Sequence, residues 1–303
     1  MRKVPAVNAA MLFLASLIWG TAFVAQSMGM DYMGPVTFNG LRYFLGAAVL
    51  LPLIVIRRLR GEGGDLRMAA LGGLCCGTAL FAASTMQQIG IVTTDVGKAG
   101  FMTALYIVLV PLINFFITRK TSLRLWVGVA LASVGLYYLS VSGEMHLEPG
   151  DRSLLLCALL FSLQIMAVDH FAPHTDSIEL AFAQFVTAGT LGTLTAFKVE
   201  EVHLSAVAAG ILPLLYVGIF SSGIAYTLQI AGQKGADPSI ASLIMSLESV
   251  ISAVAGFLIL HQVLSRREIF GCVLMFAAII LVQLPVGAQE EAVRDIGESC
   301  PAE

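Results

Sequence analysis

Long apolar runs, separated by short polar and charged segments, fill the chain from about residue 8 to residue 285. Ten of these runs approach the length of about 20 residues that an α-helix needs to cross a bilayer. Helices are favoured over strands because a helix satisfies every backbone polar group in lipid within its own length. The pattern therefore predicts an all-α integral membrane protein with ten transmembrane helices. The predicted helices cover residues 8–28, 34–56, 68–90, 94–117, 123–142, 152–171, 177–197, 205–230, 237–260 and 268–285.

Aspartate and proline refine this prediction locally. Asp237 followed by Pro238 is a typical helix start, since aspartate caps a first turn and proline fits the first helical position. Pro52, Pro111 and Pro213 lie inside predicted helices, where each removes a backbone donor and is expected to kink its helix. Such kinks are compatible with hinges and equally with static bends.

A second pattern emerges when the sequence is shifted against itself by 142 residues. Gln87 then falls on Gln229, and Asp95 falls on Asp237. Polar matches are informative in an apolar chain, where matches of leucine or alanine are common. Each half contains five predicted helices, an odd number, so the second half must enter the membrane from the opposite side.

The predicted architecture is therefore two inverted five-helix repeats (5+5) followed by a tail. Inverted repeats recur in secondary transporters, whose substrate site lies between the halves. The repeat favours transport as the function. The predicted domains are residues 1–142 for the first repeat, 150–285 for the second, and 286–303 for a disordered cytoplasmic tail.

Composition narrows the class of protein further. Apolar residues make up 57% of the chain, charged residues 12%, and the mean hydropathy is +0.86. These values exclude an ordinary soluble domain and a disordered chain. The net charge of −3, without a basic stripe, argues against nucleic acid as a partner. The five cysteines show no metal-ligand spacing with histidines, so neither a metal nor a cofactor is predicted.

Lysine and arginine predict the orientation, because cytoplasmic loops carry an excess of both. With the N-terminus inside, cytoplasmic segments hold 11 of these residues and outer segments hold 5, while Arg42 lies within a span. Both termini are therefore predicted to be cytoplasmic, in a multi-pass protein of the cell (inner or plasma) membrane.

Four stretches carry a resemblance to a known family: 17–24 (LIWGTAFV) in the first helix, 41–44 (LRYF) in the second, 96–101 (VGKAGF) in the fourth, and 246–250 (SLESV) in the ninth. Together they resemble the drug/metabolite transporter superfamily, specifically its EamA-like members. The chain departs from the family at His261-Gln262, where glycine and glutamate are usual. The resemblance implies a 5+5 carrier of small metabolites, often amino acids or related amphipathic compounds.

Charged residues inside the spans are the first candidates for a substrate pathway, since each costs roughly 2.5–3.5 kcal/mol at a helix centre on insertion scales. Glu248 is expected to bind an amine or a proton, and Arg42 to hold a carboxylate. The alternative is a permanent structural ion pair between these two. Lys98 is expected to attract anionic groups, or instead to form a surface pair with Asp95, three residues earlier.

Neutral polar and aromatic residues complete the predicted pathway. They are expected to line a central cavity shared by both halves. Interhelical hydrogen bonding is the alternative explanation for many of them. The full set of predicted pathway residues is Trp19, Arg42, Gln87, Lys98, Tyr106, Gln184, Tyr226, Gln229 and Glu248.

The sequence is thus interpreted as a secondary transporter of small metabolites, with export favoured, that works by alternating access between inverted repeats. Its expected partners are a small-molecule substrate and the lipid bilayer, and a homodimer is left open. No His-Glu-x-x-His, Gly-x-Ser-x-Gly or Walker A motif is present, so no catalytic residues are predicted. The alternative is an integral membrane enzyme, or a structural membrane protein without transport activity.

Overall fold

Helices account for nearly all of the residues that the structure describes. A computed structural model describes residues 4–140, 149–260 and 265–283, and it contains no strand within these residues. A 3₁₀ turn, Ala172–His174, follows α7, and a π-helical segment, Val217–Tyr226, lies between α10 and α11. The α-helices are α1 (Ala6–Gly29), α2 (Pro35–Leu59), α3 (Leu66–Ile91), α4 (Val96–Ala104), α5 (Tyr106–Thr118), α6 (Leu123–Ser140), α7 (Pro149–Phe171), α8 (Ser177–Val199), α9 (Leu204–Ala209), α10 (Ile211–Tyr216), α11 (Thr227–Gln233), α12 (Pro238–Met245), α13 (Leu247–Leu260) and α14 (Arg266–Gln283).

The all-α membrane architecture predicted from the sequence is confirmed for the described residues. Eight helical segments are long and apolar enough to cross a bilayer, and two shorter apolar helices cover Leu123–Tyr138 and Ile269–Val282. Each of the ten predicted helices overlaps one of these ten segments, although the predicted ends at residues 142 and 285 lie outside the described residues. The predicted tail at 286–303 and the His261-Gln262 pair lie outside the described residues.

Carboxylates fix several helix starts. The predicted start at Asp237 is confirmed: its Oδ1 accepts a hydrogen bond from the Ser239 backbone N–H at 2.9 Å, with Pro238 at the first helical position. A carboxylate from another helix caps α2. Glu200 accepts from the backbone N–H groups of Val36 and Thr37 at 2.9 and 2.8 Å. Each carboxylate satisfies donors that a helix start leaves unpaired.

Two membrane segments are interrupted near their middle. The α4–α5 segment breaks at Leu105, and the α12–α13 segment breaks at Ser246. Tighter 3₁₀-type hydrogen bonds cross both breaks, from Val108 N to Leu105 O at 3.0 Å and from Ser249 N to Ser246 O at 3.1 Å. Short 3₁₀ stretches inside a helix often mark hinges.

Helix α2 runs antiparallel to α8, and the pair is held at both ends. Glu200 holds the start of α2, while Arg57 near its end pairs with Asp176 at the start of α8, Nη1 to Oδ2 at 2.9 Å. We call the end of the bundle where α1 begins the N-terminal end, and the other the opposite end. The Arg57–Asp176 pair lies at the N-terminal end, and Glu200 lies at the opposite end.

Helices α6 and α14 form a second antiparallel pair. Near the start of α6, Arg124 Nε donates to Leu281 O, near the end of α14, at 2.6 Å. Near the end of α6, the Tyr138 ring lies 5.3 Å from that of Phe270 in the first turns of α14. In both antiparallel pairs, one helix comes from each half of the chain.

Glycines at helix crossings show the same relation between the halves. A Cβ added at Gly90 of α3 would lie 2.5 Å from Cγ of Leu154 in α7. A Cβ added at Gly232 of α11 would lie 2.8 Å from Cγ of Leu12 in α1. Both glycines and both leucines are 142 residues apart. The contact made by the first half on the second is therefore repeated by the second half on the first.

Candidate functional site

A cavity lies in the centre of the bundle, between helices of the two halves. Its volume is about 30 Å³, which is room for about two water molecules at about 10–15 Å³ each, so the site is narrow in this conformation. Its lining combines two charged side chains with amides, hydroxyls and aromatic rings. The lining residues are Trp19, Phe23, Gln26, Arg42, Gln87, Thr103, Tyr106, Phe161, Gln164, Ile165, Ser221, Tyr226, Gln229, Met245 and Glu248.

Most of this lining consists of residue pairs separated by 142 positions. One pair is in direct contact: the Tyr106 hydroxyl donates to Oε1 of Glu248 at 2.9 Å. A residue that touches its own counterpart lies where the two halves meet. The five pairs are Trp19–Phe161, Phe23–Ile165, Gln87–Gln229, Thr103–Met245 and Tyr106–Glu248.

Four of these lining residues lie beside the two helix breaks. Thr103 and Tyr106 flank the break at Leu105, while Met245 and Glu248 flank the break at Ser246. An interruption in the helix re-aims the side chains on either side of it. Interrupted helices in corresponding positions of two halves are a common feature of transporter binding sites.

Glu248 is the only carboxylate among the lining residues, and its side chain is 4% exposed. No lysine, arginine or histidine nitrogen of the described residues lies within 4.0 Å of its oxygens. Its one described hydrogen-bond partner is the Tyr106 hydroxyl. The carboxylate is therefore held by a neutral donor and faces the cavity without a fixed counter-ion.

Arg42 is the cation of the cavity and is 1% exposed. Its Nη1 donates to Oε1 of Gln26 and its Nη2 donates to the Tyr43 hydroxyl, both at 2.9 Å. The guanidinium carbon lies 4.8 Å from the centre of the Tyr43 ring. These neutral partners orient the guanidinium but leave its charge uncompensated. The described structure therefore places Arg42 and Glu248 around one cavity without pairing them.

Aromatic rings form one wall of the site. The rings of Trp19 and Tyr226 are 4.8 Å apart and tilted by 60°, and Trp19 Nε1 donates to the Ser221 carbonyl at 3.2 Å. Behind them, Phe185 and Tyr43 lie 6.0 and 6.4 Å from the Tyr226 ring. The wall offers an apolar, polarisable surface to a ligand.

The glutamines at the cavity bond to polar groups on neighbouring helices. Gln87 donates to the Thr103 hydroxyl at 3.3 Å, and Gln229 donates to Gln164 Oε1 at 3.2 Å. The predicted interhelical hydrogen bonds and the predicted cavity lining are thus both present in these residues. Among the described residues, no three His, Cys, Asp or Glu side chains converge as a metal site would require.

Two predicted pathway residues lie outside the lining. Lys98 pairs with the fully buried Asp151 at the start of α7, Nζ to Oδ2 at 2.7 Å, and Asp95 is exposed at the cap of α4. Gln184 is buried within α8, and neither of its amide atoms has a hydrogen-bond partner among the described residues. The other seven predicted residues line the cavity.

Several lining residues were absent from the sequence prediction, although helical spacing indicates some of them. On α1, Phe23 and Gln26 lie four and seven positions after Trp19, on one helix face. On α7, Phe161 is the counterpart of Trp19 under the repeat. The lining residues outside the predicted set are Phe23, Gln26, Thr103, Phe161, Gln164, Ile165, Ser221 and Met245.

The sequence also matches a family model twice. The model of the EamA-like transporter family matches residues 8–141 and again residues 149–284. The chain belongs to the EamA-like transporter family. Together with the apolar helices, this membership makes it a multi-pass membrane protein of a transporter family, as the resemblance implied.

Relatives of the chain support the same assignment. An uncharacterized transporter of Archaeoglobus fulgidus is 32% identical over 280 residues, covering 91% of this chain and 85% of that protein. The transporter YoaV of Bacillus subtilis is 23% identical over 88% of this chain and 93% of that protein. The protein PecM of Dickeya dadantii is 24% identical over 89% and 90%.

A solved crystal structure shares the fold. It superposes with a TM-score of 0.73 at 19% identity, covering 90% of this chain and 95% of that one. At this identity the likeness extends to the fold alone.

Proposed function

We propose that the protein is a secondary transporter of small zwitterionic metabolites, such as amino acids or related amphipathic compounds, and that the central cavity is its substrate site. The observation that carries this proposal is the pair of uncompensated charges in one cavity. Arg42 comes from the first half and Glu248 from the second. Buried charges are costly and are expected to have a functional partner.

The groups that line the cavity match those of a zwitterion. A substrate carboxylate would lie at the Arg42 guanidinium, and a substrate ammonium at the Glu248 carboxylate. An apolar or aromatic side chain would pack on Trp19 and Tyr226. One cation and one anion in the lining sum to zero charge, so a neutral dipolar ligand fits better than an ion of either sign.

The proposed mechanism is alternating access between two inverted repeats. The antiparallel pairs α2–α8 and α6–α14 each join corresponding helices of the two halves. Corresponding helices would be parallel if the halves shared one direction. The reciprocal glycine contacts and the double match to the family model also support the inverted arrangement. The breaks at Leu105 and Ser246 would serve as hinges on either side of the site.

We propose that the protein lies in the cell membrane, that the N-terminal end of the bundle faces the cytoplasm, and that transport runs in the direction of export. Lysine and arginine support this orientation, at 11 against 5. Single cysteines at Gly61 and Thr121, in a version without native cysteines, should react with an impermeant thiol reagent only after the membrane is permeabilised. A cysteine at Glu201 should react in intact cells. The reverse labelling would overturn the orientation.

Transport by purified protein tests the function itself. Proteoliposomes with the protein should accumulate at least one radiolabelled zwitterionic amino acid above protein-free liposomes, and an excess of the unlabelled compound should compete. Monocarboxylates and simple amines of similar size should be carried more slowly, since each satisfies only one of the two charges. No uptake of any zwitterion, or preference for a simple ion, would contradict the proposal.

A further inference from the structure

Three buried glutamines form a column that leads away from the cavity. Gln164 of α7 and Gln229 of α11 line the cavity and are hydrogen-bonded to each other at 3.2 Å. Gln233 lies one helical turn beyond Gln229, toward the N-terminal end, and its Nε2 donates to the Ile165 carbonyl at 3.1 Å. We call Gln164, Gln229 and Gln233 the glutamine column.

Each member of the glutamine column keeps one polar atom without a partner among the described residues. These atoms are Nε2 of Gln164, Oε1 of Gln229 and Oε1 of Gln233. All three residues are at most 1% exposed. Buried polar atoms in folded proteins are almost always hydrogen-bonded, to protein or to ordered water. A run of donors and acceptors of this kind is suited to a file of water molecules.

The column ends at a charged surface. Asp169 lies one turn beyond Ile165 on α7, and its carboxyl group interacts electrostatically with that of Asp237. Both aspartates are partly exposed, and Lys234 beside them is exposed. The glutamine column thus leads from the cavity toward these partly exposed groups at the N-terminal end.

The 142-residue repeat does not reproduce this column at the opposite end of the cavity, where Gln88 Nε2 donates to the Gln26 backbone carbonyl at 3.2 Å and Gln88 Oε1 has no partner among the described residues. Under the 142-residue repeat, the counterpart of Gln164 is Ala22 and the counterpart of Gln233 is Ile91. Ile91 belongs to an apolar cluster around the start of α4. The cluster consists of Phe23, Val24, Ile91, Val96, Ala99, Met102, Leu154 and Ala255. Apolar packing of this kind excludes water.

We propose that the glutamine column is a hydrated proton path that joins Glu248 to the N-terminal end. This inference rests on the proposed function of the cavity and adds protons as the coupling ion. Glu248 gives its carboxyl proton to a cavity water, each water in the file passes one proton on, and bulk water or the Asp169 carboxylate receives it. Only O–H bonds break and form, and nothing is oxidised or reduced.

The surroundings of Glu248 favour water as its proton acceptor in this conformation. The titratable or charged groups around it are Tyr106 of α5, Arg42 of α2, Tyr226 of the π-helical segment and Cys157 of α7. None of these is a carboxylate or an imidazole that could accept the proton at neutral pH. The proton must therefore leave through the solvent of the cavity.

Cysteine accessibility tests the hydrated path against its apolar counterpart. In a version without native cysteines, Gln233→Cys is compared with Ile91→Cys, and Gln164→Cys with Ala22→Cys. A small water-soluble methanethiosulfonate should react at least about tenfold faster with the two glutamine-derived cysteines, because a thiol ionises and reacts only where water reaches it. Equal rates in both comparisons, or faster reaction at Ile91→Cys and Ala22→Cys, would overturn the proposal.

Trp19 provides a second readout, one that follows the proton itself. The chain has two tryptophans, so Trp126→Phe leaves Trp19, in the cavity wall, as the fluorescent probe. In oriented proteoliposomes, a pH jump on the N-terminal side should change its fluorescence faster than a jump on the other side. Gln233→Leu should slow the response about tenfold, because an apolar side chain interrupts the water file, and Glu248→Gln should abolish it. Gln184→Leu removes a buried glutamine outside the column and should leave the response unchanged.

Equal responses from both sides, or a response that Gln233→Leu does not slow, would overturn the path. Neither assay needs a transported substrate. If Glu248→Gln abolishes substrate transport while the labelling and fluorescence predictions fail, the proposed function stands and the proton path falls. If the labelling and fluorescence predictions hold but no substrate is transported, the proton path stands and the proposed function falls.

Discussion

The two halves of the molecule share one framework and differ in the chemistry placed on it. Both break a membrane helix at nearly the same position, at Leu105 and at Ser246, and both pack a glycine on a leucine of the other half. Yet the residue just beyond the break is the neutral Tyr106 in the first half, whereas its repeat counterpart in the second half is the acidic Glu248. The repeated positions determine the fold, whereas the unmatched positions give the cavity its charges.

Differences between matched positions also separate the two ends of the cavity. Lys98 and Asp151 form an ion pair at the opposite end. Their counterparts under the repeat, Ile240 and Ala9, lie at the N-terminal end and are both apolar. Conversely, Gln233 at the N-terminal end corresponds to Ile91. The alternating access proposed above needs two ends that open under different conditions, and these unlike residues at the two ends are compatible with it.

The ion pair provides the largest expected effect on stability. Lys98→Met removes an ammonium group 2.7 Å from a carboxylate that is fully buried. Breaking a fully buried pair on one side typically costs about 3–5 kcal/mol. The Lys98 side chain is 27% exposed, so the loss should lie at the lower end of that range, and the thermal midpoint in detergent should fall clearly. The double variant Lys98→Met/Asp151→Ala, which imitates the apolar other end, should recover most of the loss. A midpoint equal to wild type for Lys98→Met would contradict this prediction.

The reciprocal glycine contacts should give matched, smaller losses. Gly90→Val and Gly232→Val each push a side chain into the leucine of the other half, where even a Cβ lies within 2.8 Å. Overpacking of this kind typically costs about 1–3 kcal/mol, measured as apparent stability in detergent. Gly97→Val is the control, because a Cβ at Gly97 would meet nothing within 4 Å. Clearly unequal losses at Gly90 and Gly232 would break the comparison between the halves.

Substitution of Gln184, the counterpart of Arg42 under the repeat, should have the smallest effect on stability. Gln184→Leu removes an amide with no described partner, so stability should change by no more than about 0.5 kcal/mol or rise slightly. Gln26→Leu removes the acceptor of an Arg42 hydrogen bond and should cost about 1.5–3 kcal/mol. Thermal midpoints of the two variants, measured side by side, check the contrast. A larger loss for Gln184→Leu would show that its amide has an essential role.

The fold was largely predictable from the sequence because the bilayer imposes helices on every long apolar run. The repeat also identified the cavity, since it aligned Gln87 with Gln229 and both line it. The partner of Lys98 was not predictable. Asp151 lies 53 residues away, and only the packing of α4 on α7 brings the two together. Local spacing suggested Asp95 instead, on the same helix.

Partners of buried polar residues were the hardest feature to predict. Arg42 and Glu248 are opposite charges in family-like motifs, and sequence reasoning left a direct ion pair open. In the structure, Gln26 and Tyr43 bind the arginine and Tyr106 binds the glutamate. Neutral donors and acceptors are common along the spans, so only three-dimensional placement selects among them. The ten-residue π-helical segment before α11 likewise carries no signal in the sequence beyond the nearby Pro213.

The claim that the central cavity carries substrate is tested most directly by Glu248→Gln. This change keeps the shape of the side chain and an acceptor for the Tyr106 hydroxyl, so the folded yield should match wild type. Transport of a zwitterion carried by the wild type should fall roughly tenfold to a hundredfold in proteoliposomes, matching the roughly 1.5–3 kcal/mol of one hydrogen bond to a charged group. Gln184→Leu, outside the cavity, should transport at the wild-type rate. Wild-type transport by a well-folded Glu248→Gln protein would contradict the assignment of this cavity as the transport site.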